Sequence, residues 1–435
     1  MPNRISAFCL LGLLLPPAFA SASNNPFLTK YGTPFETPPF ERIRLEHFSP
    51  AFTLGMETQK REVAAITEAT APPDFFNTIV ALDRSGMLLS RVSSVFGAIR
   101  GATTNDRLDS LATLLTPSLT SHRNDISLNE KLFQRVKAVY DGRKSLRLAS
   151  EDSMLLENTY KDFVRGGAGL SPEGKTRLRA LNQELSMLSL KFGQNLLKET
   201  NGYRLVVDRA EDLAGLPPAS ISGAAEAAKK AGMDGKWVFT LQKPSLIPFL
   251  QYAKNRTLRE KIYRAYCMRG DNGNANDNKQ ILARIAALRV ARAKLVGYPT
   301  HADYVLAENM AGDPRTVLGF LDKLWKPAIV VAGRERDAMQ EMIEREGGSF
   351  KLAPWDWWYY AEKVKKARYD LDEDELRPYF QMENVRRGVF DVAARLYGLK
   401  FVERTDIPRY ADDVQVFEVQ RTDGSHIGIL YTDYY

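Results

Sequence analysis

The 435-residue chain is 44% hydrophobic and 26% charged, the balance of an ordinary globular protein with enough chain for a large core or two domains. Its net charge of +7 is spread along the sequence without a run of five or six basic residues, which argues for a solvated surface and against a nucleic-acid stripe. Past the first twenty residues no stretch reaches about eighteen uninterrupted apolar residues, so no spanning helix is predicted and the mature protein is expected to be soluble.

The chain opens with Met1-Pro2-Asn3-Arg4, an almost wholly apolar run from Ile5 to Leu15, and Ala18-Phe19-Ala20. A positive start, a short apolar core and small residues at the cleavage positions predict a secretory signal peptide over residues 1–20, and hence export to the periplasm or beyond. Cys9 lies inside the apolar run, so removal of the signal leaves Cys267 as a lone cysteine that is expected to be buried or inert.

Residues 21–46 are rich in Pro, Asn and Thr and predict an extended arm anchored by Phe27, Phe35 and Phe40. A helical domain is expected over 47–236, with helices near 50–70, 75–100, 106–120, 128–142 and 151–165. Ser171-Pro172 is a cap followed by a residue suited to the first helical turn. Beyond it Leu178, Leu181, Leu185, Leu188 and Phe192 recur every three or four residues, the spacing of one buried helix stripe. Trp237 to Leu241 reads as a short strand. Helices are then predicted near 245–268 and 277–296, after Asp313-Pro314, and near 355–367 and 383–397. Val414–Val419 and Ile427–Tyr431 flank Thr422-Asp423-Gly424, a hairpin signal. A strand pair alone is marginal, and nothing further along the chain is there to cover it.

Chemistry-bearing patterns are sparse. His47, His122, His301 and His426 are far apart in sequence, and no H-E-x-x-H places two histidines one helical turn apart for zinc. There is no G-x-S-x-G elbow, Walker loop or dinucleotide fingerprint. Asp271 to Asn278 lacks the glycine and glutamate positions of a calcium loop and reads as a capped connection between helices. The acidic run Asp370–Glu375 suits a helix start. Trp355-Asp356-Trp357-Trp358-Tyr359-Tyr360 reads as a helix start with core aromatics, or else as a binding platform. Asn255-Arg256-Thr257 is a glycosylation sequon.

Several ordered strings carry a resemblance. They are Asn25-Pro26-Phe27-Leu28, Pro38-Pro39-Phe40, Glu46 to Phe52, Tyr263-Arg264-Ala265-Tyr266, Arg269-Gly270-Asp271 and Asn276-Asp277-Asn278. They continue with Leu295-Val296-Gly297-Tyr298, Glu308-Asn309-Met310-Ala311, Trp355-Asp356, Tyr360 to Lys363, Tyr369 to Asp372 and Leu376 to Phe380. Together they resemble the thimet oligopeptidase/peptidyl-dipeptidase family of zinc metallopeptidases, in its bacterial peptidyl-dipeptidase branch. The resemblance implies a mainly α, multi-helical fold in which residues 237–435 begin the metallopeptidase domain of a two-lobed channel enzyme. It implies hydrolysis of short peptides with release of C-terminal dipeptides. It also implies a zinc held by H-E-x-x-H and a later glutamate, in a part of the family that follows the hairpin seen here. No catalytic or metal-binding residue can therefore be assigned within this chain, and its substrate-binding residues are unknown. The Trp-Asp and Tyr-Asp-Leu-Asp strings read as scaffold. The expectation is an N-terminal portion that binds no zinc and is inactive alone. The alternative is a non-catalytic peptide-binding or regulatory remnant.

Overall fold

The computed structural model describes residues 24–370 and 373–434. The predicted signal peptide lies outside the described residues, as do Leu371 and Asp372 of the acidic run. The fold is mainly α, as the periodicity predicts. In chain order its principal elements are α1 Leu45–Glu68, α2 Met87–Thr103, α3 Asp106–Ser127, α4 Glu130–Asp141, α5 Ser150–Arg165 and α6 Pro172–Gly202. Next come β1 Leu205–Val207, α7 Pro218–Lys230, β2 Trp237–Phe239, α8 Lys243–Tyr252, α9 Arg256–Cys267, α10 Lys279–Leu295 and α11 His301–Leu306. Last are α12 Pro314–Arg345, α13 Trp357–Tyr369, α14 Met382–Tyr397, β3 Leu399–Glu403, β4 Gln415–Arg421 and β5 His426–Thr432. The described residues form two compact units, one within positions 24–115, 129–162 and 386–434 and the other within 116–128, 163–370 and 373–385.

In the first unit, Phe27 and Phe48 are buried and their rings lie 5.2 Å apart, while Phe96 of α2 meets Phe48 edge-on at 5.1 Å and Phe52 at 5.7 Å. This aromatic contact joins the arm to α1 and α2. The predicted helix over 75–100 is interrupted at Gly86, whose φ of 74° is a left-handed conformation that starts α2 afresh. Arg135 of α4 donates to the carbonyl of Ala69 at 3.1 Å and to Asn77 Oδ1 at 3.1 Å.

The hairpin forms with its turn at Asp423-Gly424, where Gly424 takes φ 85° and donates to the Arg421 carbonyl at 3.0 Å. It is not left as an uncovered pair. β3, which the sequence reading missed, pairs antiparallel with β4 to give the order β3-β4-β5. The arm supplies the rest: Phe40 meets Tyr410 and Tyr431 edge-on at 5.4 and 6.0 Å, and Phe35 stacks on His426 at 4.2 Å. Phe35 pays for that position with a positive φ of 57°.

In the second unit the predicted stripe of α6 faces α10: Leu185, Ile285 and Leu288 are buried with Leu181, Leu188 and Phe192 packed against them. Ser171 caps α6 by accepting from Gly174 N at 3.2 Å, as its position predicts. The expected strand at 237 is shorter than predicted and pairs antiparallel with β1. The single helix predicted over 245–268 is two helices, because Asn255 accepts from Leu258 N at 3.1 Å and starts α9. The core here gathers Leu205, Phe239, Leu241, Phe249 and Ile262.

Candidate functional site

The four histidines do not converge. His47 accepts from the Arg44 backbone N–H at 3.0 Å at the start of α1. His122 is buried in α3. His301 opens α11. His426 lies 3.1 Å from Glu418, whose other oxygen is taken at 2.6 Å by Arg404. A zinc ion needs several anionic or neutral donors around one point and no cation among them. Among the described residues no cluster of three or more His, Cys, Asp or Glu side chains offers that. The described residues therefore do not fit a zinc site.

Cys267 is exposed, so of the expected buried or inert thiol the buried alternative is corrected. It ends α9, whose last turn leaves it at the helix surface. The sequon asparagine is engaged as a cap, and its Nδ2 donates to Asp212 at 2.7 Å. The Asn-rich connection between α9 and α10 folds around Glu199 of α6, which accepts from Gly270 N at 2.6 Å, Asn272 at 2.7 Å and Asn274 at 2.6 Å. Burial pushes the Glu199 carboxyl up, and these hydrogen bonds outweigh it and hold the group below the usual carboxylate range. Asp277 falls to about 2, because the Lys279 ammonium donates to it and the N–H groups of Lys279 and Gly273 add to that.

The aromatic patch is built on Asp356, which is fully buried. Arg256 approaches it with Nε 3.1 and 3.0 Å from the two carboxylate oxygens and Nη2 at 2.8 Å, and Arg259 donates to Oδ1 at 2.9 Å. Ala353 N adds a fifth bond at 3.1 Å. Arg259 also donates to the Ala253 carbonyl at 2.7 Å and stacks 4.1 Å from the Tyr359 ring. One carboxylate thus fastens α9 to the turn that begins α13. Every lone pair of Asp356 is spent on the protein itself.

A second polar cluster lies in the same unit, where sequence reasoning placed nothing. Arg123 of α3, Arg165 at the end of α5, and Arg289 and Arg292, one turn apart on α10, line one cleft of about 390 Å³ with Asn182 and Tyr304. Two of these guanidiniums stand over the Tyr304 ring, Arg165 at 4.8 Å and Arg292 at 5.2 Å. Arg165 also donates to the Tyr304 carbonyl at 3.0 Å. Glu308, 3.2 Å from Arg165, is the one carboxylate ion-paired with any of the four among the described residues. Arg165 Nη1, Arg292 Nε and His301 Nδ1 are buried without a hydrogen-bond partner. Burial, then the nearby Arg289 and Arg292, lowers the His301 pKa below its ordinary value. Only the Arg-x-x-Arg spacing on the predicted helix over 277–296 signals any of this in the sequence; Arg123 and Arg165 come from helices far away in the chain.

The family model described as Peptidase family M3 matches residues 249–435. The chain is 40% identical over 412 residues to the dipeptidyl carboxypeptidase of Escherichia coli strain K12, covering 94% of this chain and 60% of that protein. It is 32% identical over 416 residues to oligopeptidase A of the same organism, covering 94% and 60%. Saccharolysin of Saccharomyces cerevisiae is 26% identical over 326 residues, covering 71% and 44%. The chain therefore spans about 60% of the length of the bacterial relatives it matches.

Proposed function

The chain belongs to the thimet oligopeptidase/peptidyl-dipeptidase family, peptidase family M3, and on that premise we propose that it serves the hydrolysis of short peptides with release of dipeptides from their C-termini. The observation that supports this reading is the 40% identity to a dipeptidyl carboxypeptidase over 94% of the chain. A start of the metallopeptidase domain near residue 237 is part of the proposal, and the family match from 249 supports it.

The family is generally zinc-dependent, yet these 435 residues contain no H-E-x-x-H and gather no zinc-binding cluster among the described ones. Metal hydrolysis needs an intact donor set before it can polarise a carbonyl or activate water. The proposal is therefore that this polypeptide contributes scaffold and peptide-facing surface to such an enzyme and does not turn over substrate by itself. Export is also proposed, on the signal-like residues 1–20; no described helix is long and apolar enough to cross a membrane.

The test mixes the purified chain with a blocked tetrapeptide and zinc, alone and with a separately expressed polypeptide spanning the part of the E. coli dipeptidyl carboxypeptidase beyond the aligned region. Dipeptide release only in the mixture is expected. Zinc-dependent release by the chain alone would refute the inactivity. No release and no association in the mixture would count against a peptidase role.

A further inference from the structure

The basic cleft of the second unit has more positive charge than its surroundings neutralise. Four arginines line it, and one glutamate answers them. The other polar groups on its wall are neutral hydroxyls and amides, four of them paired with one another: Thr120 donates to Ser186 at 3.0 Å, and Asn182 donates to Asn124 at 2.8 Å. Guanidinium N–H groups cannot shed their protons, so each buried one needs an acceptor. Arg165 Nη1 and Arg292 Nε have none, nor does the buried His301 Nδ1 nearby. Holding two guanidiniums over one tyrosine ring concentrates like charge further.

From these contacts we infer that the cleft lined by Arg123, Arg165, Arg289 and Arg292 binds a small oxyanion of the phosphate class, either free or as the phosphoryl group of a small molecule. A single peptide carboxylate carries one charge and is matched by one guanidinium fork, whereas a phosphate group offers several acceptor oxygens to several forks at once. The volume of about 390 Å³ suits a small molecule. The inference rests on the geometry of this unit and is independent of the peptidase reading.

Isothermal titration of the full chain with pyrophosphate, inorganic phosphate and O-phosphoserine, against sodium chloride of equal ionic strength, tests it. Saturable one-site binding is expected for pyrophosphate. A signal from inorganic phosphate points to the free ion as ligand, and one from O-phosphoserine to a phosphate monoester. Arg123 and Arg289 are exposed, so the double variant R123Q/R289Q keeps the fold and should weaken pyrophosphate binding about tenfold or more. R292Q should do the same, with R264Q, on α9 and outside the cleft, unchanged. Heat that sodium chloride reproduces, or wild-type affinity in both cleft variants, overturns the proposal. Binding of tetraglutamate in place of pyrophosphate also overturns it, in favour of an acidic peptide.

Discussion

At the scale of single residues, the contrast is between a buried charge that is fully answered and buried charges that are not. Asp356 accepts five hydrogen bonds and is wholly out of water. Deleting its carboxylate leaves Arg259, which is 2% exposed, as an uncompensated buried cation. Asp356→Ala should therefore cost about 3–5 kcal/mol in chemical denaturation. Arg256, 36% exposed, can rehydrate, so Arg256→Ala should cost about 1–2 kcal/mol. Equal costs would show that Asp356 is not the anchor. His301 gives the pH counterpart. Its pKa is depressed first by burial and then by Arg289 and Arg292, below the ordinary 6.5. A depressed folded pKa means that the unfolded chain binds the proton more readily. The contribution of His301 to stability is therefore present above about pH 6.5 and is lost as the pH falls through the folded value. A ring-proton NMR titration should find the His301 midpoint below 6.5 and find it raised in R289Q/R292Q; a midpoint at or above 6.5 in the parent would contradict the local field described here.

At the scale of elements, local chemistry decided where helices start, and tertiary partners decided what the connections do. The connection between α9 and α10 is short of apolar residues and holds its shape through Glu199, which lies on α6. Glu199→Ala removes three acceptor contacts and should cost about 1–2 kcal/mol. The backbone amides of residues 270–276 should then exchange with solvent faster, and unchanged exchange would show that the loop closes through Asp277 and Lys279 alone. Such partners explain what was and was not legible. Ser171 and Asp313 announced their helices because a cap acts within four residues, and both accept the expected N–H. Asp423-Gly424 announced its turn for the same reason. β3 gave no alternating signal over Leu399–Glu403; it is a strand because Phe401 and Val402 face Val419 and Glu418 across the ladder. The break before Asn255 was hidden because Tyr252 and Leu258 continue an apolar rhythm on both sides of it. The basic cleft was least legible of all, since its arginines sit on three helices separated by up to 169 positions from Arg123 to Arg292.

At the scale of the whole molecule, what stands out is apolar surface that the chain leaves in water. On α12, Leu318, Leu321, Trp325 and Ile329 follow steps of three and four and are 64%, 50%, 64% and 49% exposed. Val385, Val389, Val392 and Leu396 repeat that pattern on α14. A helix stripe of this kind is the sequence pattern of a buried face, and contiguous exposed apolar patches mark surfaces that other molecules cover. Full burial of such side chains gives about 1.5–3 kcal/mol each. With roughly half of each already covered, the α12 stripe has about 3–6 kcal/mol left to gain. That suffices to hold a small aromatic dye. Two copies paired through this stripe would gain about twice that, about 6–12 kcal/mol, and once the cost of at least about 4 kcal/mol in lost freedom of motion is taken off the net stays at or below the roughly 8 kcal/mol of a micromolar complex. The chain should therefore enhance anilinonaphthalene sulfonate fluorescence strongly while sedimenting as a monomer at about 10 μM, far below the concentrations such a weak patch could populate. Leu321→Lys combined with Trp325→Lys should cut the dye signal by about half or more at unchanged helicity. A stable dimer at that concentration would mean that the two stripes act together with shape complementarity, which burial of α12 alone does not supply, and the dye signal would then fall with dimerisation instead of with the lysine substitutions.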